Sequence, residues 1–212
     1  MHGPEHAKSD WTESFGEYFH KRRLEVLRAM IGSAGHETSL DVGCGDGCLV
    51  ILGLRNVVGI DVRRANGVAI CSSAENLPFR ANTFDLIFAG EVLEHLENPL
   101  KGLKDWSRVL KTTGTLIIST PNGSLVKWDS GHPEHKGTYA PAEMNAALQR
   151  IGLGVVKTVG IFTGLISGSR LFRKLPFDWL KSAILRLPVP ARLSYDIFYK
   201  VIRDSEPPDV PN

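Results

Sequence analysis

The fold is decided by one short stretch of the chain, Leu40-Asp41-Val42-Gly43-Cys44-Gly45-Asp46-Gly47. It begins like a strand and runs into a loop with glycine at every second position. Glycine has no Cβ and tolerates positive φ, so a ligand can approach the backbone closely while loop N–H groups remain available to it. Taken alone, the pattern also fits a tight structural turn. The residues that follow decide between these two interpretations.

The acidic residue after the next strand candidate favours a ligand site. Asp61 comes fourteen residues after Gly47, where α/β nucleotide sites commonly bind the two ribose hydroxyls. The glycine spacing is G-x-G-x-G, because position 48 is Cys48, whereas a dinucleotide fingerprint needs G-x-G-x-x-G. The loop also lacks the Gly-Lys-Ser/Thr of a P-loop. The sequence therefore predicts a nucleoside ligand and disfavours NAD and FAD.

Short apolar runs of strand-like length recur along the rest of the chain. They cover residues 40–42, 57–60, 68–71, 84–89, 115–119, 155–162 and 194–202. Helical spacing of apolar residues predicts helices over 15–31, 99–111 and 142–151, the last with Pro141 at its start. Strands alternating with helices predict an α/β fold with a doubly wound, mostly parallel sheet that binds ligands at the carboxyl ends of its strands.

The connection between the second and third strand candidates is unusually short. Only residues 63–67 separate them, whereas a parallel crossover usually takes about a dozen residues or more. We therefore expect the crossover helix between these two strands to be shortened or missing.

Composition gives broad bounds on the class of protein. With 212 residues, 42% of them hydrophobic, the chain can bury one substantial core. A net charge of +2 does not by itself imply a nucleic-acid or membrane partner. The three cysteines lack CxxC spacing, which argues against a disulfide framework or a zinc site. Because the amino terminus also lacks the apolar stretch of a signal peptide, we expect a cytoplasmic protein.

From Leu40 onward the sequence resembles the class I S-adenosylmethionine (SAM)-dependent methyltransferases, nearest to the subgroup that includes ubiquinone-biosynthesis methyltransferases. The matching blocks are LDVGCGDG at 40–47, VVGIDV at 57–62, SAENLPF at 73–79, NTFDLIFAGEVLEHLENP at 82–99, RVLKTTGTLIISTPN at 108–122 and EMNAALQRIGL at 143–153. They follow one another in the order expected for the family. The resemblance implies a Rossmann-like methyltransferase fold, an enzyme that transfers a methyl group, and SAM as the cofactor.

Carried over by position, the resemblance also implies the cofactor-binding residues. Asp61 would hold the ribose hydroxyls, residues 73–75 would lie beside the adenine, and Val62 or Leu77 would line its face. The implied set is Asp41, Gly43, Cys44, Gly45, Gly47, Asp61, Val62, Ser73, Ala74, Glu75 and Ala89. In the opening helix, Tyr18 with Lys21 or Arg22 would reach the methionine carboxylate, unless the helix only packs on the sheet.

The segment Glu91-Val92-Leu93-Glu94-His95 supplies the catalytic candidates. Glu91 shares one face with Glu94 and His95 if a helix follows the fourth strand. We take Glu91 and His95 as catalytic candidates, with His95 as a base when the acceptor is a hydroxyl.

A metal ion is the second interpretation of the same segment. In ubiquinone-type O-methyltransferases and small-RNA 2′-O-methyltransferases a similar cluster binds a divalent metal, and His135 matches the additional histidine of the latter family. Alternatively, Glu91 and His95 only satisfy a helix start and each other. A divalent metal is therefore allowed but not favoured.

The carboxyl-terminal part of the domain is basic. Residues 165–203 contain eight basic and two acidic residues. Within the segment 170–187, residues 176–187 have apolar positions at 177, 180, 184 and 187 with basic residues interspersed, like an interfacial or lid helix. Such a helix could cover an acceptor, contact a membrane surface peripherally, or pack on its own core. We expect one methyltransferase domain over residues 1–204, with a helical cap at 1–36, an acceptor-side insertion at 165–192, and a flexible tail at 205–212.

Together these features predict a SAM-dependent methyltransferase that methylates a small-molecule or lipid-linked acceptor on oxygen or carbon by in-line displacement. One alternative is an RNA ribose 2′-O-methyltransferase with a metal-assisted site, although nucleic acid is disfavoured as a partner. The other is a SAM-binding regulatory module without turnover. The acceptor and the oligomeric state stay open, because acceptor pockets come from variable loops and termini.

Overall fold

The computed structural model describes residues 10–33, 35–64, 68–125, 134–163, 183 and 189–204. The strands of this part are β1 (Ser39–Val42), β2 (Val57–Asp61), β3 (Ile70–Cys71), β4 (Phe84–Gly90), β5 (Leu110–Pro121), β6 (Leu153–Thr163) and β7 (Ser194–Arg203). Its α-helices are α1 (Asp10–Ile31), α2 (Cys48–Ile51), α3 (Pro99–Val109) and α4 (Pro141–Gln149). Two short 3-10 turns cover Leu93–His95 and Ala191–Leu193.

The strands form one sheet in the order β3-β2-β1-β4-β5-β7-β6. The pairs from β3 to β5 are parallel, and β7 runs antiparallel to both β5 and β6. The predicted doubly wound, mostly parallel sheet is therefore confirmed. In this arrangement the carboxyl ends of β1, β2 and β4 meet at one edge, where Asp41 of β1 pairs with Gly59 on one side and Phe88 on the other.

Helices cover both faces of the sheet, as the two-residue period of β4 requires. Leu86 and Phe88 pack in one buried cluster with residues of α1 and α2. Ile87 and Ala89 point the other way, into the cluster that contains residues of α3 and α4. Burial on both faces explains why the central strands read as continuous apolar runs.

Most predicted elements match the observed ones, with shifted ends. The opening helix starts at Asp10 instead of residue 15, and the third strand is only two residues long. The described residues of the connection after β2, at 62–64 and 68–69, contain no helix. Because residues 65–67 lie outside the described part, the shortened crossover stays a prediction.

Several sequence expectations fall on residues outside the described ranges. The tail at 205–212 lies entirely outside them, as does most of the proposed insertion at 165–192, including nearly all of the lid candidate at 170–187. In the cap at 1–36, the description starts with α1. Among the described residues, no helix has both the length and the apolar character needed to cross a lipid bilayer.

One buried indole connects α3 to the loop after β3. The Trp106 side chain is fully buried, and its Nε1–H donates a 2.8 Å hydrogen bond to the carbonyl of Ala74. The same loop is held a second time where the backbone N–H of Asn98, the residue that caps α3, donates to the Glu75 carboxylate at 2.8 Å. Helix α3 therefore sets the position of the backbone at residues 74 and 75.

Replacing Trp106 tests this connection. Trp106→Phe leaves the Ala74 carbonyl without its donor and shrinks a packed ring, so we expect the free energy of unfolding to fall by about 2–4 kcal/mol. Urea unfolding followed by circular dichroism measures the change. Lys104→Ala, on the exposed side of the same helix, should stay within about 0.5 kcal/mol of the unsubstituted protein. Equal unfolding midpoints for the two variants would contradict the assignment.

Candidate functional site

The glycine loop after β1 needs glycine for two different reasons. Gly43, Gly45 and Gly47 all have positive φ, at 63°, 46° and 85°, a region that other L-residues enter only at a cost. At Gly43 there is also no room, because an added Cβ would overlap the side chain of Val92. The sequence pattern thus arises from backbone conformation and from the close approach of the segment after β4.

Asp61 joins this loop to the end of β2. One carboxylate oxygen accepts a 3.1 Å hydrogen bond from the N–H of Gly45, and the other accepts a 2.9 Å bond from the N–H of Arg63. The backbone N–H of Cys44 also donates to the carbonyl of Ile60 at 2.9 Å. The structure therefore brings together the two features that the sequence singled out. A carboxylate has about four acceptor positions, so Asp61 can still accept two hydroxyl donors.

A cavity of about 640 Å³ opens at this edge of the sheet. Eight of the predicted site residues line it, namely Gly43, Asp61, Val62, Ser73, Ala74, Glu75, Glu91 and His95. Val62 is 72% exposed, which is unusual for a large apolar side chain and leaves an apolar surface beside Asp61. The volume lies in the range typical of cofactor and ligand pockets.

The other predicted cofactor residues support the cavity without lining it. Cys44 and Ala89 are buried in the core, and Gly47 precedes the short helix α2. Gly45 takes part through its N–H to Asp61. Asp41 is 2% exposed and accepts a 3.1 Å hydrogen bond from the N–H of Leu49, so its carboxylate ties β1 to α2.

The prediction of a helix directly after the fourth strand is wrong. Glu91 has a φ of +55°, which cannot continue a right-handed helix, and its N–H donates to the carbonyl of Ser119. Only a single 3-10 turn follows at Leu93–His95 before Asn98 caps α3. Glu91 therefore does not share a helix face with Glu94 and His95.

The turn nevertheless gathers three groups that could hold a metal ion. Ligand atoms of Glu94, His95 and His135 all lie within 4.8 Å of one another. The imidazole Nδ1 of His95 is 3.1 Å from the carbonyl of Glu134, and the N–H of Lys136 donates to the carbonyl of Glu94 at 2.6 Å. These backbone contacts bring His135 beside His95. Glu91, which the sequence grouped with them, is not part of this set.

Glu94 is the buried member of the cluster. One carboxylate oxygen accepts a 3.2 Å hydrogen bond from the Thr120 hydroxyl, and the other has no hydrogen-bond partner among the described residues. Burial, together with the nearby charge of Glu91, raises the pKa of Glu94 to about 8. The group therefore holds a proton at neutral pH unless a cation approaches it.

Sequence reasoning missed Arg23, which contacts both Glu91 and the sheet. Its Nη2 is 3.2 Å from Glu91 and donates to the Ser119 hydroxyl at 2.7 Å, and its Nε is 3.6 Å from Asp196. Burial acts to lower the pKa of Arg23, but Glu91 and Asp196 outweigh it and the pKa is raised. The sequence signal for Arg23 is its position four residues after Phe19 and four residues before Leu27, which places it on the apolar side of the helix.

The residues predicted instead of Arg23 face elsewhere. Arg22 pairs with Glu25 at 3.1 Å, and Lys21 is exposed. The side chain of Tyr18 lies outside the described part of the chain. A second cavity of about 220 Å³, lined by Arg23, Glu91 and apolar residues of α1, β4 and β7, adjoins this cluster, and Glu91 also lines the larger cavity.

Comparison with known proteins finds methyltransferases. Residues 40–118 match the family model of a methyltransferase domain. The chain is similar to the ubiquinone biosynthesis O-methyltransferase of Parvibaculum lavamentivorans, with 35% identity over 41% of each protein. It is also similar to the protein of that name from Hydrogenovibrio crunogenus, with 25% identity over 84% of this chain and 90% of that protein.

A solved structure extends the likeness to nearly the whole chain. The chain is similar to a chain in the structure of the complex between the Haloferax volcanii Trm112 methyltransferase activator and a methyltransferase. The match has a TM-score of 0.65 and 17% identity, and it covers 92% of this chain and 93% of that chain. At this identity the match establishes the fold. The alignments with four curated relatives span 41% to 63% of the lengths of those proteins.

The buried carboxyl of Asp41 generates a prediction on stability. Burial raises the pKa of Asp41 to about 7, against the opposing hydrogen bond from Leu49. The unfolded chain releases this proton near pH 4, so the stability that depends on the neutral acid is complete below about pH 4 and is lost as pH rises through about 7.

The Asp41→Asn variant isolates this contribution. Between pH 5 and pH 8 the unsubstituted protein should lose a few kcal/mol of unfolding free energy relative to Asp41→Asn, measured by urea unfolding at each pH. Asp46→Asn changes an exposed carboxylate of the same loop, and its free energy of unfolding should differ from that of the unsubstituted protein by the same amount at every pH. If the difference for Asp41→Asn were also independent of pH, Asp41 would not be a buried neutral acid.

Proposed function

We propose that this class I SAM-dependent methyltransferase transfers the methyl group of SAM to a small-molecule or lipid-linked acceptor. The observation that carries the proposal is the cavity of about 640 Å³ at the carboxyl edge of the sheet, which Gly43, Asp61 and residues 73–75 line together. Such an edge is where open α/β sheets bind nucleoside ligands.

The adenosine end of the donor fits the part of the cavity near Asp61. The carboxylate can accept both ribose hydroxyls in addition to its two backbone donors. The exposed apolar side chain of Val62 offers a surface for the adenine ring, and Ser73 and Glu75 offer polar groups at its edge. The Ser73 hydroxyl already accepts the N–H of Glu75 at 3.2 Å, so this loop is held in shape before a ligand arrives.

The amino-acid end of the donor fits the charges around Glu91. An α-amino acid carries an ammonium and a carboxylate, which complement the carboxylate of Glu91 and the guanidinium of Arg23. Glu91 lines both cavities, so a ligand that extends from Asp61 past Gly43 reaches this pair. This orientation leaves the sulfonium between the two ends, close to the strand end of β4.

Methyl transfer from SAM requires little from the protein beyond orienting the donor and the acceptor. An acceptor lone pair attacks the methyl carbon in line with the carbon–sulfur bond, and the bonding electrons move to sulfur to give the neutral thioether S-adenosylhomocysteine. Alignment of the two reactants can supply about 7–11 kcal/mol of the barrier reduction. A base is needed only when the acceptor carries a proton that must leave.

His95 is the base that the site offers for a hydroxyl acceptor. Its Nδ1 is 3.1 Å from the Glu134 carbonyl. If Nδ1 carries the ring proton and donates a hydrogen bond to that carbonyl, Nε2 can accept a proton from the acceptor hydroxyl. His95 is exposed and lines the larger cavity. The names of the two ubiquinone biosynthesis O-methyltransferase relatives support oxygen as the acceptor atom.

Methyl-donor binding is the direct test. Asp61→Asn should weaken SAM binding by roughly 1–3 kcal/mol, because the amide can accept fewer hydroxyl bonds and carries no charge. Isothermal titration of SAM into each protein measures the effect. Asp46→Asn, on the exposed side of the same loop, should bind SAM like the unsubstituted protein. Equal affinity in the Asp61 variant would remove the ribose assignment.

A metal-assisted transfer to a ribose 2′-hydroxyl of RNA is the second candidate, and the cluster of Glu94, His95 and His135 favours it. Two imidazoles and a carboxylate form a suitable donor set, and one buried oxygen of Glu94 lacks a hydrogen-bond partner among the described residues. A divalent cation there would polarise the acceptor oxygen. A donor-binding module without turnover is the remaining alternative, and methyl transfer to any acceptor would exclude it.

Titration with Mn²⁺ tests the metal-assisted candidate. Since Glu94 must lose its proton to bind a cation and its pKa is raised to about 8, Mn²⁺ affinity should rise between pH 7 and pH 9. His135→Ala should lower that affinity by about tenfold or more, while His36→Ala, before β1, should not change it. No Mn²⁺ binding at pH 9 would leave the metal-free transfer as the mechanism.

A further inference from the structure

Asp196 is a buried carboxylate that the proposed reaction does not use. It lies on β7 opposite Pro121 of β5 and Ile161 of β6, and its side chain is fully buried. Apart from a side-chain hydrogen bond with the carboxyl of Glu91, neither carboxylate oxygen has a hydrogen-bond partner among the described residues. Its ion pair is with Arg23, whose Nε is 3.6 Å from Oδ2. A buried charge with so little compensation is costly to maintain.

The guanidinium of Arg23 is held from several directions. Asp196 contacts Nε, while Glu91 and the Ser119 hydroxyl contact Nη2. The rings of Phe19 and Phe198 lie 5.7 and 5.8 Å from its central carbon, within the range of cation–π attraction. These contacts occupy the Nε–Nη2 edge and leave Nη1 for another partner, since Nη1 makes no hydrogen bond within the described part of the chain.

The charges of this group are unbalanced. One guanidinium faces two carboxylates, Glu91 and Asp196. Burial, followed by the neighbouring charge of Glu91, raises the pKa of Asp196. An additional ammonium group beside Glu91 would balance the second carboxylate. Because Glu91 would then pair with the ammonium, Arg23 would need another carboxylate as its partner.

We propose that Asp196 is a positioning residue that holds Arg23 in place when the ammonium of the methyl donor binds the carboxylate of Glu91. The inference rests on the proposed function, because it assigns the amino-acid end of the donor to Glu91 and Arg23. Asp196 makes no contact with the ligand. It keeps the guanidinium anchored at Nε, so that Nη1 and Nη2 present a fixed donor pair to the ligand carboxylate.

Two ligands that differ only in the amino-acid end separate positioning from a general structural role. S-adenosylhomocysteine has the ammonium and carboxylate, whereas 5′-methylthioadenosine keeps the adenosine and the thioether but lacks both charges. In Asp196→Asn, affinity for S-adenosylhomocysteine should fall by about tenfold to about hundredfold, because Arg23 loses its buried ion-pair partner and its guanidinium is no longer held at Nε. Affinity for 5′-methylthioadenosine should stay within about twofold, and Asp46→Asn should change neither affinity.

Other results overturn the inference. Equal losses for both ligands would mean that Asp196 only supports the fold, and no loss for either would mean that Arg23 is held without it. If the unsubstituted protein binds neither ligand, the proposed function fails and the inference fails with it. If it binds both ligands equally well, only the role of Arg23 and Asp196 is rejected.

A second pair of variants covers the case in which Asp196→Asn does not fold. Arg23→Met should show the same selective loss of S-adenosylhomocysteine affinity. Because Asp196 acts through Arg23, adding Asp196→Asn to Arg23→Met should lower the affinity no further, as a double-mutant cycle requires for residues that act as one unit. A further loss of about tenfold in the double variant would contradict the positioning role.

Discussion

The two hydrogen bonds that the Asp61 carboxylate accepts determine the shape of the whole candidate site. They tie the N–H of Gly45 in the glycine loop and the N–H of Arg63 after β2 to one side chain. A parallel ladder between β1 and β2 brings these segments to the same edge of the sheet, and the 2.9 Å hydrogen bond from the N–H of Cys44 to the carbonyl of Ile60 supports the same junction. Gly43 of the loop and Asp61 both line the cavity at this edge.

Acidic side chains are concentrated at the same edge. Asp41, Asp61, Glu91, Glu94 and Asp196 lie there, and the partly buried Arg23 lies among the last three. For an acid, burial without a full set of partners favours the neutral form, and the raised pKa values of Asp41 and Glu94 follow from it. A cationic ligand entering this region is therefore electrostatically favoured, which suits a donor that carries both a sulfonium and an ammonium.

The sequence alone predicted the parts of the fold that depend on local pattern. The alternation of apolar runs with helical segments predicted the sheet, and G-x-G-x-G with Asp61 predicted two elements that lie in contact. The left-handed conformation of Glu91 was not predictable from residue type, because glutamate rarely adopts it. It turned the expected helix into a 3-10 turn. Arg23 was missed because its role depends on contacts with β5 and β7, far away in the chain.

A crystal structure with S-adenosylhomocysteine would show whether this edge of the sheet binds the adenosine of a methyl donor. We expect both ribose hydroxyls within hydrogen-bond distance of the Asp61 carboxylate, with the adenine against Val62 and residues 73–75. A ligand bound elsewhere, or one whose ribose points away from Asp61, would contradict it.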